Sequence, residues 1–191
     1  MALNVRIDFE NCYDAEPLSA DLRLTKFETE RIDNSNVLIG VLIGSQPQPL
    51  LPNVYNLAFG PMDGNNEIDD QVKVAHLDHS KMFSTIILSA LTFLNANADK
   101  YLGIDGTNNA RAYLYFRIIQ RNYDILTQYF DIYGVKYYVR ILRKTNDEDD
   151  GYPVDADDIT AVPARITKGE SVRPEKMYNY FIFRIAGQAR E

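Results

Sequence analysis

One apolar stretch, residues 80–98 (SKMFSTIILSALTFLNANA), constrains the fold more than any other part of the sequence. Its apolar residues recur at helical spacing: Met82, Ile86, Ala90 and Phe93. Asp78 stands where it can cap the first turn, and Ile87, Leu88 and Leu91 widen the apolar stripe. The pattern therefore predicts a helix that is buried over most of its surface.

Strand patterns precede this helix. Alternating or continuous apolar residues predict strands at residues 3–9, 22–29, 37–44 (VLIGVLIG), 54–60 and 67–77. The continuous run at 37–44 is typical of a strand buried on both faces or of a hairpin partner. The three prolines of residues 46–53 (QPQPLLPN) predict a loop, and Asp63-Gly64 predicts a tight turn.

The second half of the chain mixes helix and strand patterns. They follow in this order: a strand at 101–104, a helix at 108–122, a third helical segment at 123–130, and alternating strands at 135–141 and 177–185. The last two strands are expected to pair antiparallel. We predict a single α+β domain over residues 1–191, with an antiparallel-rich mixed sheet and two or three helices packed against it.

Composition narrows the class of protein. Apolar residues make up 46% of the 191 residues and charged residues 25%, as in folded globular proteins. Cys12 is the single cysteine, so no internal disulfide can form and a reducing compartment is favoured. The first residues lack the pattern of a secretion signal, and the most apolar window, 37–44, is too short to cross a bilayer. We therefore expect a cytoplasmic protein without membrane contact.

An acidic excursion, residues 145–175, separates the last two predicted strands, and loops of that length are usually functional or disordered. Seven acids in residues 145–158 are the candidate partner-binding residues: Asp147, Glu148, Asp149, Asp150, Asp155, Asp157 and Asp158. They either steer a basic protein partner to this loop or are simply solvated. The 27 acids of the chain include these seven, so 20 acids face 20 Lys and Arg elsewhere. That balance argues against a nucleic-acid partner. An RNA partner would require five arginines to converge: Arg111, Arg117, Arg121, Arg140 and Arg143.

The stretch 103–122 (GIDGTNNARAYLYFRIIQRN) is the candidate ligand site. Thr107 or Asn108 can cap the helix, and the remaining free amides, with the helix dipole, can hold an anion. The candidate ligand-binding residues are Thr107, Asn108, Asn109, Arg111 and Tyr115. The alternative is a plain capped helix, with Arg111 in solvent or paired with an acid. Its inner face would be Ala110, Leu114 and Ile118, and Arg117 and Arg121 share an outer, basic face.

Metal and catalytic patterns are incomplete. His76 and His79 have an H-x-x-H spacing, but the sequence fixes no third ligand. Residues 146–157 match a calcium loop only in part, because Pro153 interrupts them and Asp157 replaces the terminal glutamate. No nucleophile motif and no glycine-rich phosphate loop occurs. We therefore assign no metal site, no cofactor and no catalytic residue.

Several blocks in order resemble an uncharacterised bacterial family of unknown function. They are VYNLAFGPMDGNNEIDD, SKMFSTIILSALTFL, GTNNARAYLYFRII and FDIYG, between residues 54 and 134. The resemblance implies a small domain and no activity. The chain departs from the family's Gly-Ser/Thr-x-Ala-Arg-x-Arg-Leu-Tyr block, because Ala112 and Tyr113 stand where a second basic residue is expected.

Residues 102–119 are also similar to the last conserved block of the GCN5-related N-acetyltransferase fold, where a strand leads to Asn, Ala and Leu-Tyr on a helix. The matching positions are Asn108, Ala110 or Ala112, and Leu114-Tyr115. The resemblance implies Tyr115 as proton donor to a departing thiolate. It also implies a basic, glycine-containing turn for the coenzyme A pyrophosphate at the start of the preceding helix. Here that turn is HLDHSKMFSTI, with no glycine and Lys81 as its one base.

Two functions follow from these patterns. The first is a non-enzymatic protein-interaction module, immunity- or antitoxin-like, favoured by 13 tyrosines, the acidic excursion and the lack of a catalytic constellation. The second is a small-molecule anion-binding protein or acetyltransferase-like enzyme that uses the helix start at 107–111. The sequence leaves the oligomeric state and the identity of any partner open.

Overall fold

The computed structural model describes residues 4–69, 74–106, 108–141 and 154–187, with the backbone alone at 140–141 and 154–158. Its strands there are β1 (Glu16–Pro17), β2 (Leu24–Glu30), β3 (Asn36–Gln48), β4 (Leu51–Pro61), β5 (Tyr101–Asp105), β6 (Phe130–Ile141), β7 (Val154–Arg165) and β8 (Tyr180–Ile185). Its helices are α1 (His79–Ala96), α2 (Asn109–Arg121) and α3 (Tyr123–Leu126), with a short 3₁₀ helix at Pro174–Lys176. The predicted α+β class is confirmed.

All of these strands join one mixed sheet, in the order β1-β2-β3-β4-β5-β8-β6-β7. Described neighbours run antiparallel apart from β4 and β5, which are parallel and are connected through α1. Their parallel pairing is short and joins residues 54–56 to residues 101–103. The strands predicted to pair antiparallel at the end of the chain are β6 and β8, and they do so. β8 therefore lies between β6 and β5.

The main core lies between one face of the sheet and helices α1 and α2. Residues paired across adjacent strands share a face, and the buried ones on this face are Phe27, Ile39, Val41, Leu57, Leu102, Phe181 and Ile132. Asp78 caps α1 as predicted, because its Oδ1 accepts a hydrogen bond from the Lys81 N–H at 2.9 Å. The predicted helical stripe is buried as well: Met82, Ile86, Ala90 and Phe93.

The N-terminal strap, residues 4–9, pairs with none of the described strands, although its alternation predicts a strand. Its amides donate instead to helix side chains: Arg6 N–H to Ser80 Oγ at 3.0 Å, Ile7 N–H to Asn122 Oδ1 at 2.8 Å, and Asp8 N–H to Ser84 Oγ at 2.9 Å. Val5 and Ile7 are buried in the main core. The alternation thus reflects an extended chain with one buried side. The predicted strand is wrong, because the amides of the strap bond to helix side chains and not to the backbone of a neighbouring strand.

The proline-rich stretch 46–53 is mostly strand rather than loop. β3 continues to Gln48 and β4 begins at Leu51, which leaves two residues for the turn. The register shifts on either side of Pro47, so this proline stands at an irregular point of the ladder. Prolines are tolerated at such points because no backbone donor is needed there. The predicted loop is therefore wrong over most of its length.

Two further strand predictions need correction. The run 37–44 is a hairpin partner in β3, but Leu42 is 41% exposed, so burial on both faces is wrong. In the described part of 67–77, only isolated bridges form, at Ile68 and His76, in place of the predicted strand. The Asp63-Gly64 turn is present as predicted, with Asp63 N–H donating to the Glu67 carbonyl at 3.0 Å.

β7 lies inside the acidic excursion and is a strand that the sequence did not predict. It pairs antiparallel with β6 from Tyr133–Arg165 out to Ile141–Val154 and forms one edge of the sheet. Of the acidic candidates, Asp155, Asp157 and Asp158 are in this strand. The remaining four, at positions 147–150, lie outside the described residues.

Candidate functional site

The start of α2 is an asparagine-capped helix. Asn108 Oδ1 accepts a hydrogen bond from the backbone N–H of Arg111 at 2.9 Å. Gly106 is needed just before the cap, because a Cβ at that position would lie 2.6 Å from the Cβ of Ala112. Asn108 is thus the capping residue of the two that the sequence allows, and Thr107 lies outside the described residues.

The inner face of α2 differs from the predicted one. Its buried residues are Ala112, Phe116, Ile118 and Ile119. Ala110 is exposed and Leu114 only half-buried, so the predicted Ala110–Leu114–Ile118 face is wrong in two of its three residues. The larger side chains Phe116 and Ile119 bury more apolar area than Ala110 can, and they decide which side of the helix faces the sheet.

The candidate ligand residues separate into two environments. Asn108 and Asn109 are exposed and Arg111 is half-exposed at the helix start, where Arg111 has further contacts of its own. Tyr115, one turn on, is half-buried with its ring 6.4 Å from the rings of both Phe59 and Phe181. An apolar cavity of about 40 Å³ lies beside it. That volume suits one or two water molecules rather than a cofactor.

The two histidines lie side by side, with His76 buried and His79 half-buried. His76 and His79 have ring centroids 5.6 Å apart, and His76 Nδ1 lies 2.9 Å from Thr29 Oγ1. Burial lowers the pKa of His76 to about 4, helped by the neighbouring His79, and burial also lowers the pKa of His79. Both imidazoles are therefore neutral at pH 7. In the part of the chain that the structure describes, no group of three His, Cys, Asp or Glu side chains could hold a metal ion.

A basic groove lies between α2, the N-terminal strap and the loop of residues 167–173. It encloses about 510 Å³. Its floor is apolar and includes Val5, Phe116, Ile118 and Val172. Its charged lining residues are Arg117, Arg121, Lys168 and Glu170. The sequence indicates the two arginines by their shared face on α2, but it gives no sign of the loop that forms the opposite wall.

The cations of the groove have weak or neutral partners. Arg117 lies over the Tyr113 ring, with its guanidinium carbon 5.9 Å from the ring centroid. Arg121 donates a hydrogen bond to the side-chain carbonyl of Asn4. Neither arginine forms an ion pair with a carboxylate among the described residues. Lys168 pairs with Asp124 at 2.5 Å, but both side chains are largely exposed.

The loop opposite the arginines is held in place by hydrogen bonds. The Gln120 side chain donates to the Thr167 carbonyl and accepts from the Gly169 N–H, each at 2.8 Å. Glu170 accepts from the Thr167 N–H at 3.2 Å and from the Tyr178 hydroxyl at 2.6 Å. Burial raises the pKa of Tyr178, and its bond to Glu170 raises it further, so the hydroxyl remains a donor. Both Glu170 oxygens are thereby occupied.

The end of the β6–β7 hairpin presents apolar side chains on both of its faces. This hairpin surface consists of Tyr138, Val139, Ile159 and Val162, which are 38–55% exposed. Val139 and Ile159 are paired directly across the strands, so they share one face. Tyr138 and Val162 share the other face: Tyr138 is one residue from Val139, Val162 is three residues from Ile159, and side chains alternate between the faces along a strand.

Together these features define a class: a mixed-sheet α+β protein with helices over one face, a basic groove on α2 and an apolar edge hairpin. The family model described as "Family of unknown function (DUF6934)" matches residues 27–154, and the chain belongs to this family. The match contains every block of the first resemblance, which is confirmed. It ends where β7 begins, so most of β7 and the 167–173 loop lie beyond it.

No curated protein and no solved structure matches the chain. Over the described residues, none of the helices combines the length and the apolar character that crossing a membrane requires.

Proposed function

We propose that the chain is a bacterial, cytoplasmic protein-interaction module without enzymatic activity, which binds a basic partner protein through the β6–β7 hairpin. The observation that supports it is the hairpin surface, where Tyr138, Val139, Ile159 and Val162 all stand exposed at one edge of the sheet. Large apolar side chains grouped at one exposed place are typical of interaction sites, whereas single ones are ordinary.

The edge position strengthens this proposal. β7 is 12 residues long and has β6 as its one described neighbour. Long edge strands invite pairing with another chain unless they are protected, and strand addition is a common way to recognise a partner. The acidic residues at 147–158 are next to or within this strand in the sequence. A partner with a basic, extended segment would match both features, since complementary charge steers association.

A pull-down from a lysate of the source organism tests the proposal. The bait carries either Tyr138→Ser with Val162→Ser, or the matched control Ile32→Ser with Leu77→Ser. The control residues are exposed apolar side chains outside the hairpin, 64% and 56% exposed. The wild type and the control should retain the same basic protein, and the hairpin variant should lose it.

Neutralising the seven acids to Asn or Gln should weaken the same interaction and reduce its salt dependence. An immunity- or antitoxin-like role further predicts that the partner is toxic alone and harmless when both are expressed. Equal retention by the hairpin variant and the control, or no specific protein retained by the wild type, contradicts the proposal.

A second candidate function rests on a different observation, the separation of β4 and β5. Their pairing stops at residues 56 and 103, although β4 continues to Pro61 and β5 to Asp105. Ligands in sheets with parallel strands often bind beyond such carboxyl ends, near the helix that follows. The order β4–α1–β5–α2 is also the strand–helix order that the acetyltransferase resemblance requires. An anion held at the start of α2 fits this arrangement.

This second function predicts a thermal shift with coenzyme A that Arg111→Ala abolishes and Lys26→Gln, on distant β2, retains. The Asp78 carboxylate at the start of α1 is an unfavourable neighbour for a pyrophosphate. For that reason the interaction module is the function that we favour. Absence of any shift with coenzyme A and common nucleotides would end the second candidate.

A further inference from the structure

The basic groove has a local charge opposite to that of the whole chain. Three cations line it, against one carboxylate whose two oxygens already accept hydrogen bonds. The chain as a whole carries a formal net charge of −7. An acidic protein that places cations around a cavity attracts small anions there, while its overall field disfavours a long nucleic acid.

We propose that the basic groove binds a small organic phosphate, in which a phosphate group is joined to a flat apolar or aromatic group. Arg117 and Arg121 are one helical turn apart on the same side of α2, so their guanidinium groups can share one phosphate. Guanidinium forks match the oxygens of a phosphate in pairs, which gives short, charge-assisted hydrogen bonds. Lys168 supplies a third charge, since its exposed pair with Asp124 is easily exchanged.

The aromatic half of the ligand is inferred from the floor and the rim. Val5, Phe116 and Ile118 close the floor and are themselves buried, while half-buried Val172 and exposed Tyr113 present apolar surface that a bare phosphate would leave uncovered. Tyr113 at the rim is 38% exposed and already lies against Arg117, so it offers a ring face for stacking. The cavity of about 510 Å³ falls within the range of small-molecule sites, about 300–1,000 Å³.

The opposite wall is ordered before any ligand arrives. Gln120 fixes the loop backbone at two points, and Glu170 fixes it through Tyr178. A preformed wall reduces the ordering that binding requires. This favours a small ligand over an extended peptide, which would need to displace or bridge the loop. The groove is also separate from the hairpin surface, because no residue is shared between them.

Isothermal titration calorimetry with three probes tests the proposal: adenosine 5′-monophosphate, adenosine and inorganic phosphate. The nucleotide should bind at least about tenfold more tightly than either of its halves, since both halves are needed. Arg117→Gln with Arg121→Gln should weaken nucleotide binding at least about tenfold. Lys26→Gln, a half-exposed cation on β2 that pairs with Glu16 at 3.2 Å, is the matched control and should bind like the wild type.

Tyr113→Ala should weaken the nucleotide and leave inorganic phosphate unchanged, which separates stacking from charge. Urea denaturation of each variant shows that it is folded, and these exposed positions should leave the midpoint unchanged. The proposal is overturned if the wild type binds none of the probes at millimolar concentration. It is also overturned if the double arginine variant binds the nucleotide as the wild type does, or if phosphate alone binds as tightly as the nucleotide.

Discussion

Replacing Asn122 with alanine is expected to lower the free energy of unfolding by about 3–5 kcal/mol, a large effect for one polar side chain. Asn122 is buried at the end of α2. Its Oδ1 accepts from the Ile7 N–H at 2.8 Å, and its Nδ2 donates to the carbonyls of Ile118 at 2.8 Å and Val5 at 3.2 Å. Two of these three bonds hold the N-terminal strap to the helix layer.

The magnitude follows from what the substitution leaves behind. Losing the bond to Ile118 costs about 1 kcal/mol, the net value of an ordinary hydrogen bond. The N–H of Ile7 and the carbonyl of Val5 then stay buried without a partner, at about 1–3 kcal/mol each. Water entering the gap would lower the cost of both groups, which keeps the expected total at the lower end of the sum.

The chain contains a matched control at the end of α1. Asn97 occupies the same C-cap position and donates to the carbonyl four residues earlier, Phe93, at 3.0 Å. Its Oδ1 accepts from the Lys100 ammonium, which solvent can replace, and it has no bond to the strap. Asn97→Ala should therefore cost about 1 kcal/mol. The difference between the two variants, about 2–4 kcal/mol, measures the attachment of the strap.

Urea unfolding followed by far-ultraviolet circular dichroism at pH 7 gives both free energies, with equal slopes if the transition remains two-state. Equal losses for Asn122→Ala and Asn97→Ala would refute the reasoning, because the strap bonds would then contribute nothing. Asn122→Asp offers an independent check, since a carboxylate keeps the acceptor for Ile7 but cannot donate to Val5 or Ile118.

Three further substitutions test other parts of the fold. Because the pKa of His76 is lowered to about 4 in the folded protein, the unfolded chain binds a proton there more readily than the folded one. The free energy of unfolding is therefore highest above about pH 6.5 and falls as the pH drops toward 4. His76→Gln should flatten that decline in urea titrations between pH 7 and 4.5. Gly134→Ala should cost about 1–3 kcal/mol, because its Cβ would lie 2.3 Å from the Tyr178 ring. Gly44→Ala is the control and should be nearly neutral, because the nearest neighbour of its Cβ would lie 3.7 Å away. Similar melting temperatures for the two variants would contradict this prediction. Asp131→Ala should cost about 1.5–3 kcal/mol, because half-buried Arg184, 2.9 Å away, and exposed Arg165, 2.7 Å away, lose their shared buried carboxylate. The exposed Asp124–Lys168 pair is the control, and Asp124→Ala should cost less than about 1 kcal/mol in the same melts.

Sequence patterns predicted those helices and strands whose signals involve residues close together in the chain. The Asp78 cap and the stripe through Met82 and Phe93 predicted α1, since both depend on residues three or four positions apart. The strap shows the limit of such signals. Alternation at Val5 and Ile7 indicates one buried side, but it cannot say whether hydrogen bonds go to a strand or to Ser80 and Asn122.

β7 was missed for a related reason. Its acids and Pro163 are unusual for a strand, and they are accommodated because this strand is an edge paired on one described side. An edge position is a property of the whole sheet, and no local pattern encodes it. The hairpin surface was missed together with β7, because Ile159 and Val162 belong to it.

The sequence indicates one wall of the basic groove, the arginines of α2, but not the opposite wall. Arg117 and Arg121 share a helix face, which spacing four residues apart determines. Lys168 joins them because the Gln120 side chain bonds to the backbone of Thr167 and Gly169, which lie 47 and 49 residues further along the chain. The Asn108 cap was among the predicted alternatives, while the rotation of α2 depended on how Phe116 fits the finished core.

The central position of β8 determines the order in which the parts of the sheet can pair. β1–β5 and the β6–β7 hairpin are two halves, each with an unsatisfied inner edge until residues 180–185 bond to both β5 and β6. A ribosome delivers those six residues only after it has delivered β1–β7. The inner edges of both halves therefore remain unpaired until β8 is synthesised. Joining the halves is a late folding step that closes long loops. In a growing chain, the exposed edges of β5 and β6 would be the places most open to mispairing with other nascent chains.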